Sequence, residues 1–213
     1  MEILLLILVI VISYLLGSIN TSILVSRVYG GDVREHGSGN AGATNTLRTF
    51  GKTAAVFVLI GDVLKGIAAI FICGMLTALF AALNQGVFSD INIYRYSAGF
   101  FAVLGHNFPV YFKFKGGKGV LTSATVIAVL APVIFFYAIA VFALTVIISR
   151  YVSLGSVLAA VTFVILTLVW NGGNAAFLVF AVCIGALVIF MHRANIVRLI
   201  KGTESKLSFK KNK

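Results

Sequence analysis

Residues 120–148 read VLTSATVIAVLAPVIFFYAIAVFALTVII, an uncharged apolar run with a single proline, Pro132, near its middle. The run forms either one long helix or two short helices that turn near Ala131–Pro132. Proline suits the first turn of a helix, where its missing N–H would have no partner. The choice between the two arrangements decides the fold, because it sets the direction of every helix that follows.

The composition indicates that these helices lie in a membrane. Hydrophobic residues make up 60% of the 213 residues, charged residues make up 11%, and the mean hydropathy is +1.07. A soluble domain of this length has too small an interior to bury so much apolar surface. The other apolar segments that are long enough to cross about 30 Å of hydrocarbon are Ile3–Val28, Thr53–Leu83, Ile93–Phe112, Leu154–Trp170 and Ala175–Met191.

The distribution of basic residues distinguishes the two arrangements. The segments 34–52, 113–118 and 192–213 are basic, whereas the connection 84–92 contains one aspartate and no lysine or arginine. Lysine and arginine are retained on the cytoplasmic side, and two helices divided near Pro132 place all the basic segments there. We therefore predict an all-α polytopic membrane protein with seven transmembrane helices, the N-terminus outside and the C-terminus cytoplasmic.

The same charge pattern bears on partners and domains. The net charge of +11 would indicate nucleic acid in a soluble protein, but membrane topology accounts for it here, so no nucleic-acid partner is predicted. No linker or repeat divides the chain, and residues 1–213 are predicted to form one domain. The first apolar segment lacks a basic start and a clear cleavage site, which predicts a retained span. The tail after Thr203 is expected to lie against anionic lipid.

The two cysteines give no sign of a disulfide or a metal site. Cys73 and Cys183 both lie inside apolar runs, without the spacing of metal ligands around them. Cysteine in such a setting behaves as a small apolar side chain. Neither a metal nor any other cofactor is predicted.

The first polar stretch is GSGNAGATN at residues 37–45, followed by Arg48. Its three glycines allow the backbone N–H groups to turn inward, and its short polar side chains add hydrogen-bonding groups. Arginine can hold a phosphate by two hydrogen bonds. An ordinary flexible loop explains the glycines alone, but the whole stretch beside a membrane favours a phosphate-binding loop.

A second polar stretch combines GHNFP at 105–109 with FKGGKG at 114–119. Two lysines alternate with three glycines, so the backbone can approach an anion while ammonium groups neutralise it. Lysines that only mark the cytoplasmic side would explain the charge but not the glycines. Taken alone, His106 is better explained as a hydrogen-bonded histidine at a helix end.

Three further features carry polar residues. The turn 150–156 is interpreted mainly as capping for the next helix. His192 and Asn195 are three residues apart and are expected to share one face of a helix. Asp62 and Lys65 lie within an apolar run, where ionisable residues are normally paired or functional, and we expect them to pair with each other or with one of the polar loops.

These stretches resemble the PlsY family of acyl-phosphate:glycerol-3-phosphate acyltransferases over most of the chain. The matching motifs, in order, are Asp32-Val33-Arg34, GSGNxGATNxxR at 37–48, DxxKG at 62–66, GHNFP with FKGGKG at 105–119, RYVSL at 150–154 and HRxNIxRLxxGxE at 192–204. Several distinct motifs in the same order make the resemblance specific. Asn20 stands where such sequences commonly have proline, which we expect to change the local shape of a helix interior and not the chemistry.

The resemblance implies an enzyme that moves a fatty acyl group from acyl phosphate to the sn-1 hydroxyl of glycerol 3-phosphate, giving lysophosphatidic acid and phosphate. It implies a bacterial inner-membrane location, a cytoplasmic active site and a peripheral acyl-phosphate-forming enzyme as a candidate partner. The catalytic residues implied are Ser38, Arg48, Lys118, His192 and Asn195. The residues expected to bind substrate around them are Gly37, Gly39, Asn40, Gly42, Thr44, Asn45, His106, Asn107, Lys115, Gly116, Gly117 and Gly119.

The expected mechanism is direct transfer. Acyl phosphate is a mixed anhydride whose phosphate leaves readily, so no acyl-enzyme is required. Ser38 is then a binding residue, and either the donor phosphate or His192 accepts the hydroxyl proton. Positive charge and backbone donors hold two phosphorylated molecules close together.

Two other functions compete with this interpretation. An anion transporter would account for phosphate-binding loops, but transporters tend to show inverted repeats and helices broken at the bilayer midplane, and the polar motifs here gather at one interface. A metal-dependent phosphotransferase needs clustered carboxylates around magnesium. The acidic residues predicted on the inner side, Asp32, Glu35, Asp62 and Glu204, are scattered along the chain.

Overall fold

The computed structural model describes residues 2–84 and 90–207, and these residues form ten α-helices and two 3-10 turns. The helices are α1 (Glu2–Ser18), α2 (Thr21–Val28), α3 (Ala43–Phe50), α4 (Lys52–Asn84), α5 (Ile91–Asn107), α6 (Val120–Leu130), α7 (Pro132–Ser149), α8 (Val152–Asn171), α9 (Ala175–Met191) and α10 (Arg193–Ile200). The 3-10 turns are Val33–Glu35 and Val110–Phe112. Residues 85–89 of the predicted outer connection and 208–213 of the predicted lipid-facing tail lie outside the described residues.

Contacts divide the chain into two compact units, Met1–Leu130 and Ala131–Lys213. The boundary coincides with the predicted helix break. Helix α6 ends at Leu130, Ala131 has non-helical backbone angles (φ −147°, ψ 68°), and Pro132 occupies the first turn of α7. Proline removes an N–H that would be unsatisfied at that position anyway. The predicted break is therefore confirmed, while the single-domain prediction and the direction of the later helices stay predictions.

The first predicted span, Ile3–Val28, is interrupted in the structure. Helix α1 ends at Ser18, and Asn20 begins α2 by accepting a hydrogen bond from the Ile23 N–H at 3.1 Å. Asparagine favours this capping position because its side-chain oxygen satisfies an N–H of the first turn. The expectation that Asn20 lies in a helix interior is therefore wrong.

The first unit is built around a close contact between α1 and α5. A β-carbon at Gly17 would overlap the Ala102 backbone, and one at Gly105 would overlap the Tyr14 carbonyl. Small residues at such positions allow the backbones of membrane helices to approach closely. Helix α4 packs against α1, α2, α3, α5 and α6, and this packing brings Asp62 and Lys65 near the end of α5.

The second unit contains α7, α8, α9 and α10. Phe163 of α8 packs edge-to-face on Phe177 and Phe180 of α9, with ring centroids 6.2 Å apart in both pairs. Such aromatic pairs add to the stabilisation that comes from burial. After α10 the chain returns to the start of α8, where the Leu207 N–H donates to the Arg150 carbonyl at 2.7 Å.

The lengths and composition of the helices agree with a membrane environment. Among the described residues, four segments are long and apolar enough to cross a bilayer, and the bent pair α9–α10 is a fifth if counted as one span. The four segments are Glu2–Val28, Lys52–Leu83, Pro132–Ser149 and Val152–Asn171. The predicted third span, Ile93–Phe112, stops being α-helical after Asn107. The count of seven spans and their orientation stay predictions.

Candidate functional site

The first glycine-rich loop is held in shape by Asn45. The Asn45 side-chain oxygen accepts the Ser38 N–H at 3.0 Å, and its amide nitrogen donates to the carbonyls of Val33 and His36 at 2.9 Å each. The side chain is buried, so these bonds are shielded from competition with water. Asn45 thus fixes the backbone around Ser38, whose own side chain is exposed.

Part of the stretch expected to be a loop is helical. Helix α3 begins at Ala43 with Gly42 as its N-cap, and it contains Thr44, Asn45 and Arg48. Because glycine has no side chain, Gly42 cannot cap the first turn with an oxygen of its own. The loop proper ends at Gly42, and its glycines at 37 and 39 have the left-handed φ values of +57° and +69° that glycine accepts without strain.

The second glycine-rich loop folds back onto the end of α5. The Gly116 N–H donates to the Asn107 carbonyl at 3.2 Å, and the Gly117 N–H donates to the His106 carbonyl at 3.1 Å. A β-carbon at Gly117 would overlap the His106 ring and the Ala41 carbonyl. Close approach of backbone to backbone therefore explains these glycines, and it places the half-buried Lys118 directly after the contact.

Arg34 joins the two loops. Its guanidinium pairs with Asp32 at 2.6 Å and donates to the carbonyls of Phe112 and Lys115 at 3.2 and 3.3 Å. Hydrogen bonds from Arg34 hold the pKa of Asp32 below its ordinary value, and the same carboxylate raises the pKa of Arg34. The ion pair therefore stays charged at neutral pH, and Arg34 connects the two loops in that charged state.

A small apolar core underlies the same region. Ile23 of α2, Val33 and Ala41 of the first loop region and Phe112 before the second loop are buried together. Burial of these side chains holds the loop backbones in place without using their polar groups.

Asp62 and Lys65 pair as expected, and Lys65 makes two further contacts that the sequence did not indicate. The Lys65 ammonium lies 2.8 Å from the Asp62 carboxylate and 2.8 Å from His106 Nδ1. It also donates to the Ile19 carbonyl at 3.1 Å. His106 is therefore a hydrogen-bonded residue at a helix end, and it also contacts the backbone of the second loop.

Asn107 differs from His106 in its hydrogen bonding. Its side chain is 1% exposed, yet neither its Oδ1 nor its Nδ2 has a hydrogen-bond partner within the described residues. A buried amide without partners costs free energy, so native proteins normally supply a ligand or a water molecule. Asn107 lies beside Gly119, which makes it suited to bind a polar group at the second loop.

In the second unit, His192 links α9 to α10. The two helices meet at 57°, and His192 is the N-cap of α10, which contains Asn195. His192 therefore lies at the junction and not within a helix, and the shared face of His192 and Asn195 stays a prediction. His192 Nδ1 lies 2.7 Å from the Val188 carbonyl. A carbonyl only accepts, so Nδ1 carries the proton, and Nε2 is the proton-accepting nitrogen of the neutral ring.

Glu204 orients Asn195. Its carboxylate accepts hydrogen bonds from Asn195 Nδ2 at 2.6 Å, from the Ser153 hydroxyl at 2.7 Å and from Arg198 Nε at 2.7 Å. Burial alone would raise the pKa of Glu204, but these three donors outweigh burial and lower it. The carboxylate is therefore ionised at neutral pH, and it holds the amide of Asn195 in one orientation.

The predicted capping role of the turn 150–156 is wrong in detail. Tyr151 is the N-cap of α8 and makes no side-chain capping bond, whereas Ser153 donates to Glu204. Sequence reasoning also left Arg34 and Glu204 without a role, although both fall inside the matched motifs. Their charge is the signal that could have identified Arg34 and Glu204. A charged residue inside a motif implies a partner of opposite charge or a hydrogen-bonding partner.

Taken unit by unit, the structure brings the predicted residues into two groups. The first unit joins the loop of Ser38 to the loop of Lys118 through Arg34. In the second unit His192 lies at the junction of α9 and α10, and Asn195 of α10 donates to Glu204. The fold and these groups define a helical membrane protein with two glycine-rich, basic loops.

The family model described as glycerol-3-phosphate acyltransferase matches residues 7–202. Relatives of that name from Clostridioides difficile (strain 630) and Thermoanaerobacter sp. (strain X514) are 45% and 41% identical, covering 99% and 94% of this chain and 100% and 94% of theirs. The chain belongs to the glycerol-3-phosphate acyltransferase family.

Solved structures agree with this family. A crystal structure of PlsY, an integral membrane glycerol 3-phosphate acyltransferase in its glycerol 3-phosphate form, matches with a TM-score of 0.81 at 36% identity. The match covers 95% of this chain and 96% of that one. A lysophosphatidic acid form of PlsY matches with a TM-score of 0.77 at the same identity, covering 95% of both chains. The chain is therefore an integral membrane protein of the PlsY type.

Proposed function

We propose that this protein transfers a fatty acyl group from acyl phosphate to the sn-1 hydroxyl of glycerol 3-phosphate, forming lysophosphatidic acid and phosphate for phospholipid biosynthesis. Membership of the glycerol-3-phosphate acyltransferase family supports the acceptor. The observation that carries the proposal is the Arg34 connection, which holds two glycine-rich, cationic loops side by side. Two phosphorylated substrates require such a pair of anion-binding elements.

The first loop and α3 are assigned to one phosphate. Arg48 supplies a cation that can make two hydrogen bonds to phosphate oxygens, and the Ser38 hydroxyl adds an exposed donor. The backbone around Ser38 is held by Asn45, so little conformational entropy is lost when the anion binds. The further binding positions proposed here are Gly37, Gly39, Asn40, Gly42 and Thr44.

The second loop is assigned to the neighbouring phosphate or glycerol hydroxyls. Lys118 supplies positive charge, Lys115 adds a more exposed cation, and the amide of Asn107 offers both a donor and an acceptor. Gly116, Gly117 and Gly119 allow close approach, while His106 supports the loop from behind through its carbonyl. Placing positive charge where anions meet offsets their repulsion.

His192 and Asn195 are assigned to the acyl transfer itself. The acceptor hydroxyl oxygen forms a bond to the acyl carbonyl carbon, and the bond from that carbon to the phosphate oxygen breaks. The hydroxyl proton passes either to the departing phosphate or to His192 Nε2, and Asn195 orients a substrate oxygen. Phosphate is a good leaving group, so the transfer is direct and no acyl-Ser38 forms.

The reaction is assigned to the cytoplasmic face of the bacterial inner membrane. Seven helices with the N-terminus outside and the C-terminus inside would place the basic polar segments on that face. Acyl chains of donor and product then remain in the bilayer while the phosphate groups stay in water. A peripheral enzyme that forms acyl phosphate is the expected partner at this surface.

The test uses purified protein with palmitoyl phosphate and glycerol 3-phosphate. We expect lysophosphatidic acid and inorganic phosphate in equal amounts, no product from palmitoyl-CoA, and full activity in the presence of a chelator. Rapid quenching should recover no acylated Ser38. Labelled glycerol 3-phosphate that crosses proteoliposomes without forming lipid would contradict the proposal and favour transport, and activity lost to the chelator would favour a metal-dependent enzyme.

A further inference from the structure

Lys65 is a buried lysine with a full set of partners. Its side chain lies in α4, and the residue is only 6% exposed. The ammonium group carries three N–H donors, and three acceptors surround it: the Asp62 carboxylate, the Ile19 carbonyl and His106 Nδ1. These acceptors belong to α4, to the break between α1 and α2, and to the end of α5, so one side chain joins three elements of the first unit.

The contact with Lys65 also sets the state of the His106 ring. Because the Lys65 ammonium only donates, Nδ1 accepts, and the proton of the neutral ring is on Nε2. His106 is itself buried, at 3% exposed. Nδ1 also lies 3.6 Å from the Asp62 carboxylate, so both the orientation and the tautomer of the ring are determined by the ion pair in α4.

The opposite side of His106 meets the second loop. The ring lies where a β-carbon on Gly117 would be, and the His106 carbonyl accepts the Gly117 N–H. The next carbonyl along, that of Asn107, accepts the Gly116 N–H. A change in the position of His106 therefore moves the backbone that immediately precedes Lys118.

We infer that Lys65 is a positioning residue for substrate binding: through His106, the buried Asp62–Lys65 pair holds the Gly116–Gly117 backbone so that Lys118 meets the phosphate of the acceptor. This inference rests on the proposed function of the second loop. A pair that served only to stabilise the fold could be replaced by any uncharged pair of the same size without an effect on substrate affinity. A positioning pair must keep its hydrogen bonds to His106.

Two matched double variants separate these roles. Asp62→Asn with Lys65→Gln removes both charges but keeps an N–H donor, whereas Asp62→Asn with Lys65→Met removes the charges and the donor at nearly the same volume. Neither leaves an isolated buried charge, which would be strongly destabilising. Folding is checked by gel filtration and by thermal unfolding in detergent.

For the Met variant we expect the KM for glycerol 3-phosphate to rise about tenfold, the size expected for one misplaced charge-assisted hydrogen bond, with a much smaller change in kcat. The Gln variant should keep a KM near the wild-type value. Equal KM values in the two folded variants, or a fall in kcat at unchanged KM, would overturn the inference. Equilibrium binding of glycerol 3-phosphate gives the same comparison without turnover, so failure of the acyl-transfer proposal would be recognised separately.

If the Met variant does not fold, the comparison moves to His106, where Asp62 and Lys65 remain paired. His106→Leu removes the acceptor for Lys65, and His106→Asn keeps an oxygen close to the position of Nδ1. We expect a lower KM and a smaller dissociation constant for glycerol 3-phosphate in the Asn variant than in the Leu variant. Equal values would show that the contact with Lys65 does not reach the loop, and the inference would be wrong.

Discussion

Asn45 and Glu204 are polar residues of the matched motifs whose hydrogen-bonding groups are used within the protein. Asn45 holds the backbone around Ser38, and Glu204 holds the amide of Asn195. Such residues position others, so their substitution should affect the shape of a site before it affects any direct contact with substrate. Ser38 and Arg48 are exposed, and the proposed function assigns both to direct contact with a substrate.

Arg48 is expected to contribute directly to substrate affinity. Replacing it with alanine should lower kcat/KM by about 100-fold or more, since two charge-assisted hydrogen bonds to a phosphate are worth about 3 kcal/mol or more. Arg48→Lys should retain part of the activity because it keeps the charge but loses the planar pair of donors. Steady-state assays with both substrates measure this, with Lys52→Ala as the control for loss of a nearby exposed cation. Near-normal rates for Arg48→Ala would remove Arg48 from the site.

Glu204 should make stability depend on pH. Its pKa is lower in the folded protein than in the unfolded chain, so its ionised form stabilises the fold above the ordinary glutamate pKa of about 4.3. That stabilisation is lost as the pH falls through the folded-state pKa. The Tm of wild type should therefore exceed that of Glu204→Gln at pH 7, and the difference should shrink below about pH 4. A difference that stays constant with pH would show that the charge of Glu204 is not involved.

At the scale of elements, α1 packs closely against α5, the helix from whose end the second loop follows. Both helices use glycine at the contact, and α5 ends at Asn107, from which the polar residues of the loop follow. In a membrane the helices gain little from hydrophobic association, so close packing supplies the stabilisation. Any residue that separates α1 from α5 should therefore disturb both stability and the site.

Gly17→Ala tests this packing. Its β-carbon would overlap the backbone of Ala102, and forcing an extra methyl group into a packed interface costs about 1–3 kcal/mol. We expect a lower Tm in detergent and a reduced kcat/KM. Gly74→Ala in α4 is the matched control, because a β-carbon there would have no neighbour within 4 Å, and alanine favours a helix. Equal Tm values for the two variants would contradict the packing argument.

At the scale of the whole molecule, the proposed topology rests on charge. It requires the turn between α8 and α9 to face outward and both the first loop and the end of α10 to face the cytoplasm. Large apolar side chains such as Phe71 and Ile148, 67% and 82% exposed, agree with lipid as the surrounding solvent. Charge asymmetry then orients the helices within it.

Single cysteines can test this topology in a background without Cys73 and Cys183. A membrane-impermeant maleimide should label Gly173→Cys in intact spheroplasts, and it should label Glu35→Cys and Lys201→Cys only after permeabilisation. All three positions are exposed. Labelling of Glu35→Cys and Lys201→Cys from opposite sides would contradict the proposed topology.

The helices and the polar loops were largely predictable, and the partners of the polar residues were not. Hydropathy predicted long apolar segments, and Pro132 predicted the break that the structure has. Periodicity did not reveal the break at Asn20, because a single capping residue inside an apolar run leaves the hydropathy unchanged. The sequence pattern also did not reveal α3, because the glycines that precede this helix are typical of a loop.

The sequence by itself determined the solvent of this protein, its apolar helices and the residue types of its glycine-rich, basic loops, because these depend on composition and on neighbours along the chain. Only the tertiary structure decided that Lys65 joins His106 to Asp62, that Arg34 ties the two loops, and that Glu204 orients Asn195. Lys65 and His106 are 41 residues apart, and Arg34 and Lys115 are 81 apart. Contacts over such distances depend on how separate segments pack together, and a local sequence pattern does not specify that packing.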